Sequence, residues 1–305
     1  MPSLSILIPT YAFAPVELVG ELAAMCSSSP LCDDYEIHVI DDGSGDNPSL
    51  QQARAINLMP HCHFTALPHH VGKSTLINQA AILAHFPLLL LIDSDARMKS
   101  PQLITCYLEA ASTHPNTVIC GSIFTDTQSE TSINRLRYRY EKNADRIRSA
   151  EYRNRHPYRR FTTFNVMLPK SVLATIPFNE RLKAYGYEDT LFGLQLQKHN
   201  IPVLHIDNPL IHTGIDENSI FLQKTETALQ NLALLPPQAQ DEISMLHTVQ
   251  TLRRFHLCNL FRILHRQIAP FERRNLLGCH PNLFLFKLYK LGYYLSLPPM
   301  ETSEK

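Results

Sequence analysis

The chain has 305 residues, 44% of them hydrophobic and 18% charged, which suits one large globular domain or a domain with a substantial appendage. Lys+Arg and Asp+Glu are both 28, so no global basic charge marks a nucleic-acid partner. Seven cysteines without a Cys-x-x-Cys pair argue against a disulfide framework or a zinc ribbon, and no apolar run is long enough to span a membrane.

In chain order, Leu4-Ser5-Ile6-Leu7-Ile8-Pro9-Thr10-Tyr11 reads as a strand whose Pro9 stops ladder pairing and starts a loop, and Pro15 to Cys26 has helical spacing of Val16, Leu18, Val19, Leu22 and Ala23. Tyr35 to Ile40 is a second strand that runs into Asp41-Asp42-Gly43-Ser44. A short strand at Phe64–Leu67 precedes Gly72-Lys73-Ser74-Thr75 and a helix through Asn78 and Ala84. Leu88–Ile92 is a buried strand that ends in Asp93-Ser94-Asp95. A helix to about Ser112, a strand at Thr117–Cys120, and a strand from Phe161 to Leu168 follow. The helix Thr190–His199 and strands at Pro202–Ile206 and Leu210–Gly214 close an alternating α/β pattern, and beyond Glu217 the pattern is helical with a break at Pro236-Pro237. The expected division is a catalytic domain over 1–220 and a helical extension over 221–305.

The acidic motifs carry the chemistry. In an open α/β sheet, ligands bind outside the carboxyl ends of the strands. Asp93 and Asp95 stand at such an end, and carboxylate oxygens are hard ligands for Mg²⁺ or Mn²⁺ shared with a substrate phosphate. The same residues also make ordinary turns, so the motif alone leaves both readings open. Asp41 and Asp42 occupy a second strand end, with Gly43 permitting a tight turn. Lys73 offers a compact charge to phosphate oxygens, but the chain has Leu67 where a P-loop needs its first glycine. Glu188-Asp189 opens a helix behind Tyr185-Gly186-Tyr187, where the helix dipole favours ionised carboxylates and one could act as a general base. His61-Cys62-His63 and His69-His70 match no standard zinc spacing.

Ile8-Pro9-Thr10-Tyr11, Asp41-Asp42-Gly43-Ser44, Gly72 to Asn78, Asp93-Ser94-Asp95, Gly186-Tyr187-Glu188-Asp189 and His212 occur in this order over residues 4 to about 214. The set resembles the family 2 glycosyltransferases. The resemblance implies the GT-A fold: a Rossmann-like, mostly parallel central sheet flanked by helices, here with a helical C-terminal extension. It implies inverting transfer of a sugar from a nucleotide donor, a UDP-sugar first among them, with a divalent metal, Mn²⁺ or Mg²⁺. On that resemblance Pro9, Thr10, Tyr11, Asp41, Asp42, Lys73, Asp93 and Ser94 would bind the donor nucleotide. Asp95 and His212 would hold the metal, Asp189 would be the base with Glu188 on acceptor hydroxyls, and Asn165 and Tyr187 would meet acceptor or sugar.

The acceptor implied is a glycan or a lipid-linked glycan, of a surface polysaccharide. Without Trp the chain lacks the Gln-x-x-Arg-Trp signature of processive synthases, which points to addition of one sugar. Arg135–Arg160 carries a net charge of +7 and reads equally as a solvated helix face or as a mobile loop over a diphosphate or a lipid-phosphate acceptor. Residues 251–305, net +6, read as a helical appendage packed on the catalytic domain, with a helix on an anionic membrane surface as the alternative. The first residues lack the pattern of a secretory signal, so the expected compartment is the cytoplasm, at the inner face of the membrane if the tail binds lipid. A nucleotidyltransferase and a non-catalytic nucleotide- or glycan-binding module are the rival readings.

Overall fold

In the computed structural model, residues 2–181, 186–235 and 243–298 are described. Tyr185 and the Pro236-Pro237 break lie outside them. The chain divides into two compact units.

The first unit comprises 1–126, 145–183 and 188–214 and is built on one eight-stranded sheet. Its strands are β1 (Leu4–Thr10), β2 (Tyr35–Asp41), β3 (Cys62–Ala66), β4 (Leu88–Ile92), β5 (Ala96–Arg97), β6 (Val118–Thr125), β7 (Asn165–Pro169) and β8 (Val203–His212). They lie in the order β3-β2-β1-β4-β7-β6-β8-β5. The block β3-β2-β1-β4 is parallel, and β6 and β8 are parallel to each other. Between them β7 runs antiparallel to both neighbours, so the sheet is mixed.

Strand side chains alternate between faces, and both faces are covered. On one face Leu4, Ile6, Ile8, Ile37, Val39, Leu90 and Ile92 pack against helix Val16–Ser28, through Leu18, Val19 and Leu22, and against helix Leu103–Thr113, through Tyr107 and Leu108. On the other, Leu7, Ile40, Leu89, Leu91, Val166 and Leu168 meet Leu76, Ile77 and Ala80 of helix Lys73–Leu83 and Phe192 and Leu196 of helix Glu188–Lys198. The near-continuous apolar reading of β1 and β4 follows from this double burial. Two strands expected at 202–206 and 210–214 are one strand, β8, which carries Pro209 next to the register shift between Cys120 and Ser122 of β6.

The second unit comprises 127–144, 184–187 and 215–305. Helix Arg135–Ala144 joins helices Asn218–Leu234, Ser244–Arg254, Cys258–Leu277 and Leu283–Ser296. Leu136, Phe221, Leu222, Leu276, Phe286 and Tyr289 form its core. The Asn218 side chain accepts from the Leu136 N–H at 2.7 Å and donates to the Gly278 carbonyl at 3.1 Å. Thus the basic stretch 135–160 is neither one solvated helix nor one loop: it is shared between the units. Its Arg153 belongs to the first unit, where it is 5% exposed and donates to the carbonyls of Gly121 and Ile206.

Candidate active site

The C-terminal ends of β1, β2 and β4 assemble the first part of the site. The loops after β1 and β2 are tied together: Asp42 N–H donates to the Thr10 carbonyl at 2.9 Å, and Ala12 N–H to Ser44 Oγ at 2.6 Å. Asp41 is fully buried and accepts from Ser44 N–H at 2.8 Å and from the Ser44 hydroxyl. Asp42 is 4% exposed; its two oxygens accept from Val71 N–H at 2.7 Å and Gly72 N–H at 3.0 Å. The immediate task of both carboxylates is therefore to shape the loops. Gly43 has φ +73°, and a Cβ there would run into the backbone of His69 and His70, so only glycine fits this crossing. Tyr11 stands 60% exposed at the mouth, edge-on to His70. Pro9 and Thr10 end β1 just before it, with the Thr10 hydroxyl donating to the Phe13 carbonyl. His70, whose Nδ1 is 3.0 Å from Asp42, is a member of this corner that the sequence reading set aside with the zinc question.

Lys73 opens its helix directly after Gly72 and points back at β4. Its Nζ lies 2.7 and 2.8 Å from the two oxygens of Asp93. Burial works against this ammonium, but Asp93, and then Asp189 and Glu188, outweigh it and hold the group above its ordinary range. Four acidic residues thus converge: Asp95 and Asp189 both act electrostatically on Asp93, and Glu188 acts on Lys73. Ser94 lies in the half-buried turn between the two aspartates.

The second part comes from β5, a strand of two residues that the sequence reading missed. Ala96 pairs with His212 of β8 in antiparallel register. That pairing sets His212 Nε2 3.1 Å from Asp95 Oδ2, while Thr213 donates to the Asp95 carbonyl from its N–H at 2.9 Å and its hydroxyl at 2.7 Å. Burial pushes the Asp95 carboxyl up, but the His212 hydrogen bond and charge, helped by Lys73, hold it below its ordinary value. Its side chain remains 38% exposed. A hard oxygen and an imidazole nitrogen side by side, with one side open, suit a divalent ion such as Mn²⁺. Gly214 has space for no side chain, because a Cβ there would overlap Asp95 Oδ2.

The third part is the helix Glu188–Lys198. Among the described residues, Thr163 holds Asp189: it donates its hydroxyl to Oδ1 at 2.8 Å and its N–H to Oδ2 at 3.2 Å. Thr163, in the loop before β7, carries no sequence signal beyond its place beside a strand. Gly186 and Tyr187 have φ +111° and +70° and belong to the second unit, where burial, with Tyr140 and Tyr294 nearby, raises the Tyr187 phenol above its usual range.

One expectation is corrected. Asn165 does not face a sugar: it is fully buried, with Oδ1 accepting from the Tyr107 hydroxyl at 2.7 Å and Nδ2 donating to the Asn208 carbonyl at 2.8 Å. A side-chain amide at the start of a central strand is saturated by framework groups.

A family model described as "Glycosyl transferase family 2" matches residues 5–173, more than half of the chain. The chain belongs to glycosyl transferase family 2. It is therefore a glycosyltransferase, and its structural neighbours share the GT-A architecture. The mannosyltransferase PcManGT from Pyrobaculum calidifontis, in complex with GDP-Man and Mn²⁺, matches with a TM-score of 0.57 at 13% identity, over 96% of this chain and 86% of that one. S. aureus TarS 1-349 in complex with UDP-GlcNAc matches with a TM-score of 0.51 at 14% identity, over 96% and 89%. In a longer TarS structure the chain spans 41% of the relative's length. No curated protein matches this glycosyltransferase in sequence.

Proposed function

We propose that the protein transfers one sugar from a nucleotide-sugar donor to a hydroxyl of a glycan or lipid-linked acceptor, with inversion at the anomeric carbon. The observation that carries this reading is the convergence of Asp93, Asp95, Glu188 and Asp189 around Lys73 at the strand ends. Tyr11 offers an aromatic face to the base at the mouth, with Asp41 and Asp42 holding the loops that frame it. Asp95 and His212 would hold a divalent metal, which supplies Lewis-acid stabilisation for the departing diphosphate. Asp189, oriented by both donors of Thr163, takes the proton from the acceptor hydroxyl, and that oxygen attacks the anomeric carbon opposite the leaving group. Glu188, one residue earlier on the same helix turn, binds acceptor hydroxyls.

A lipid-linked acceptor is favoured over a free glycan by helix Cys258–Leu277. It leaves Leu260, Ile263, Leu264, Ile268 and Phe271 exposed, with Arg262 and Arg266 among them. An apolar stripe flanked by guanidinium groups suits an anionic membrane surface. No helix of the described residues is long and apolar enough to cross a membrane.

The test is a panel of UDP- and GDP-sugars with and without Mn²⁺, read as thermal stabilisation and then as release of nucleoside diphosphate in the presence of acceptor. Metal-dependent stabilisation by a nucleotide sugar supports the proposal. Release of pyrophosphate would point to a nucleotidyltransferase, and binding without turnover to a non-catalytic module.

A further inference from the structure

At the opposite end of the same sheet lies a cluster that the transfer chemistry does not use. Glu36 and His38 are two apart on β2 and share the face covered by helix Lys73–Leu83, and the chain leaving that helix places His85 over them. Glu36 is 7% exposed, and its two oxygens have separate partners. Oε1 accepts from Ser5 Oγ and from His85 N–H, both at 2.6 Å. Oε2 lies 2.8 Å from His85 Nδ1 and 3.1 Å from His38 Nε2. The three facing atoms all lie within 4.8 Å of one another.

His38 Nε2 is sealed from solvent and faces Glu36 Oε2 as an ion pair at 3.1 Å. Its ring also stacks on His63, the residue paired with it in β3, with centroids 5.1 Å apart. Two imidazole nitrogens and one carboxylate oxygen gathered within 4.8 Å of one another, with the other carboxylate oxygen pinned by a hydroxyl and a backbone N–H, are the donor types and supporting shell of a metal site.

We propose that Glu36, His38 and His85 form a zinc site. Zinc is the ion this set selects, because borderline nitrogen ligands with one carboxylate suit Zn²⁺ better than Mg²⁺ or Ca²⁺. The site stands about 16 Å along β2 from Asp41, so it does not serve the donor. Its role is to clip the end of helix Lys73–Leu83 to β1 and β2. Of the three ligands only His85 is exposed, at 78% of its side chain, and through it the ion would enter.

The full chain carrying Asp95→Ala, which removes the competing metal corner, is dialysed against ZnCl₂ and its metal content measured. The expected result is one zinc per chain, with a zinc-dependent rise in melting temperature. Adding His85→Ala should weaken uptake at least about tenfold and abolish that rise. His38→Ala removes a buried group and could unfold the chain, whereas His85 is exposed, so the His85 variant keeps the test open. In the otherwise native chain, His85→Ala should leave transfer activity unchanged in metal-free buffer supplemented with Mn²⁺. Absence of zinc uptake by the Asp95→Ala chain overturns the proposal. So does uptake that His85→Ala leaves unaltered, or a melting temperature that His85→Ala lowers equally with and without zinc.

Discussion

Lys73 and Asp93 form a two-pronged ion pair, with one ammonium 2.7 and 2.8 Å from the two oxygens of a single carboxylate. The lysine is thereby a neutralising centre for the acidic residues around it as well as a positive charge available to a phosphate. Replacing it by methionine leaves Asp93 without its counter-charge beside Asp95 and Asp189. Both partners are about a third exposed, so the cost should stay below that of a fully buried pair, at about 1–3 kcal/mol in urea unfolding. An unchanged unfolding midpoint for Lys73→Met would mean that the pair contributes nothing to stability.

The metal corner should respond in a graded way. Asp95→Ala removes the oxygen ligand, and Mn²⁺ should then no longer enhance thermal stabilisation by the donor nucleotide. His212→Ala leaves that oxygen in place and should weaken the metal-dependent effect by about ten- to a hundredfold without abolishing it. If the two variants retain full Mn²⁺ enhancement, the metal lies elsewhere.

Asp189 and Thr163 separate chemistry from positioning. Asp189→Asn should lower kcat by about 10²–10⁴-fold while donor affinity stays close to that of the native chain. Thr163→Val removes the hydroxyl that holds Oδ1 but keeps the N–H bond to Oδ2, and so should reduce kcat by a smaller factor. Full turnover in Asp189→Asn would rule out Asp189 as the base.

The framework behind the site has its own pH dependence. His205 is 2% exposed; its Nδ1 lies 2.7 Å from Arg153 and its Nε2 2.9 Å from the Pro157 carbonyl. Burial, joined by the Arg153 charge, pushes the imidazole down to about 4 against the pull of that carbonyl. The unfolded chain takes up the proton near 6.5, and the folded one does not until about 4. The stabilisation is therefore fully present above 6.5 and is lost as pH falls toward 4, with a slope of up to about 1.4 kcal/mol per pH unit. Chemical denaturation across that window should show this slope, and His205→Gln should flatten it. A slope that survives His205→Gln would assign it to other groups.

The exposed stripe of helix Cys258–Leu277 gives a prediction about location. The protein should co-float with anionic vesicles and stay behind with zwitterionic ones, more weakly at high salt. Ile263→Asp with Phe271→Asp should abolish flotation while leaving the melting temperature nearly unchanged, since both side chains are more than half exposed. Equal flotation on neutral vesicles would remove the charge-based argument.

Much of the first unit was legible because its strands are short apolar runs that end in acid. Leu88–Ile92 and its Asp-x-Asp could be placed from periodicity and position alone. The register of β5 on β8 could not, because two residues carry no period and their partner lies far away in sequence. Asn165 misled because an amide at a strand end looks the same in sequence whether a sugar or the Tyr107 hydroxyl satisfies it. The division of the basic stretch was hidden for a similar reason: Arg153 has the composition of a surface charge, and only the carbonyls of Gly121 and Ile206 reveal it as a buried donor. The grouping of 127–144 with the C-terminal helices depends on contacts such as Leu136 with Leu276 and Phe286, across more than a hundred residues.

The pairing of Ala96 with His212 also orders events in time. Lys73 and Asp93 are 20 residues apart and can meet once β4 has joined β1, whereas Asp95 must wait for a partner 117 residues downstream. Contacts of such sequence separation close late because the intervening loop must first be confined. As the chain leaves the ribosome, the acidic cluster is therefore half built long before Asp95 and His212 can meet. On the proposed mechanism, competence for transfer would wait until β8 has joined the sheet.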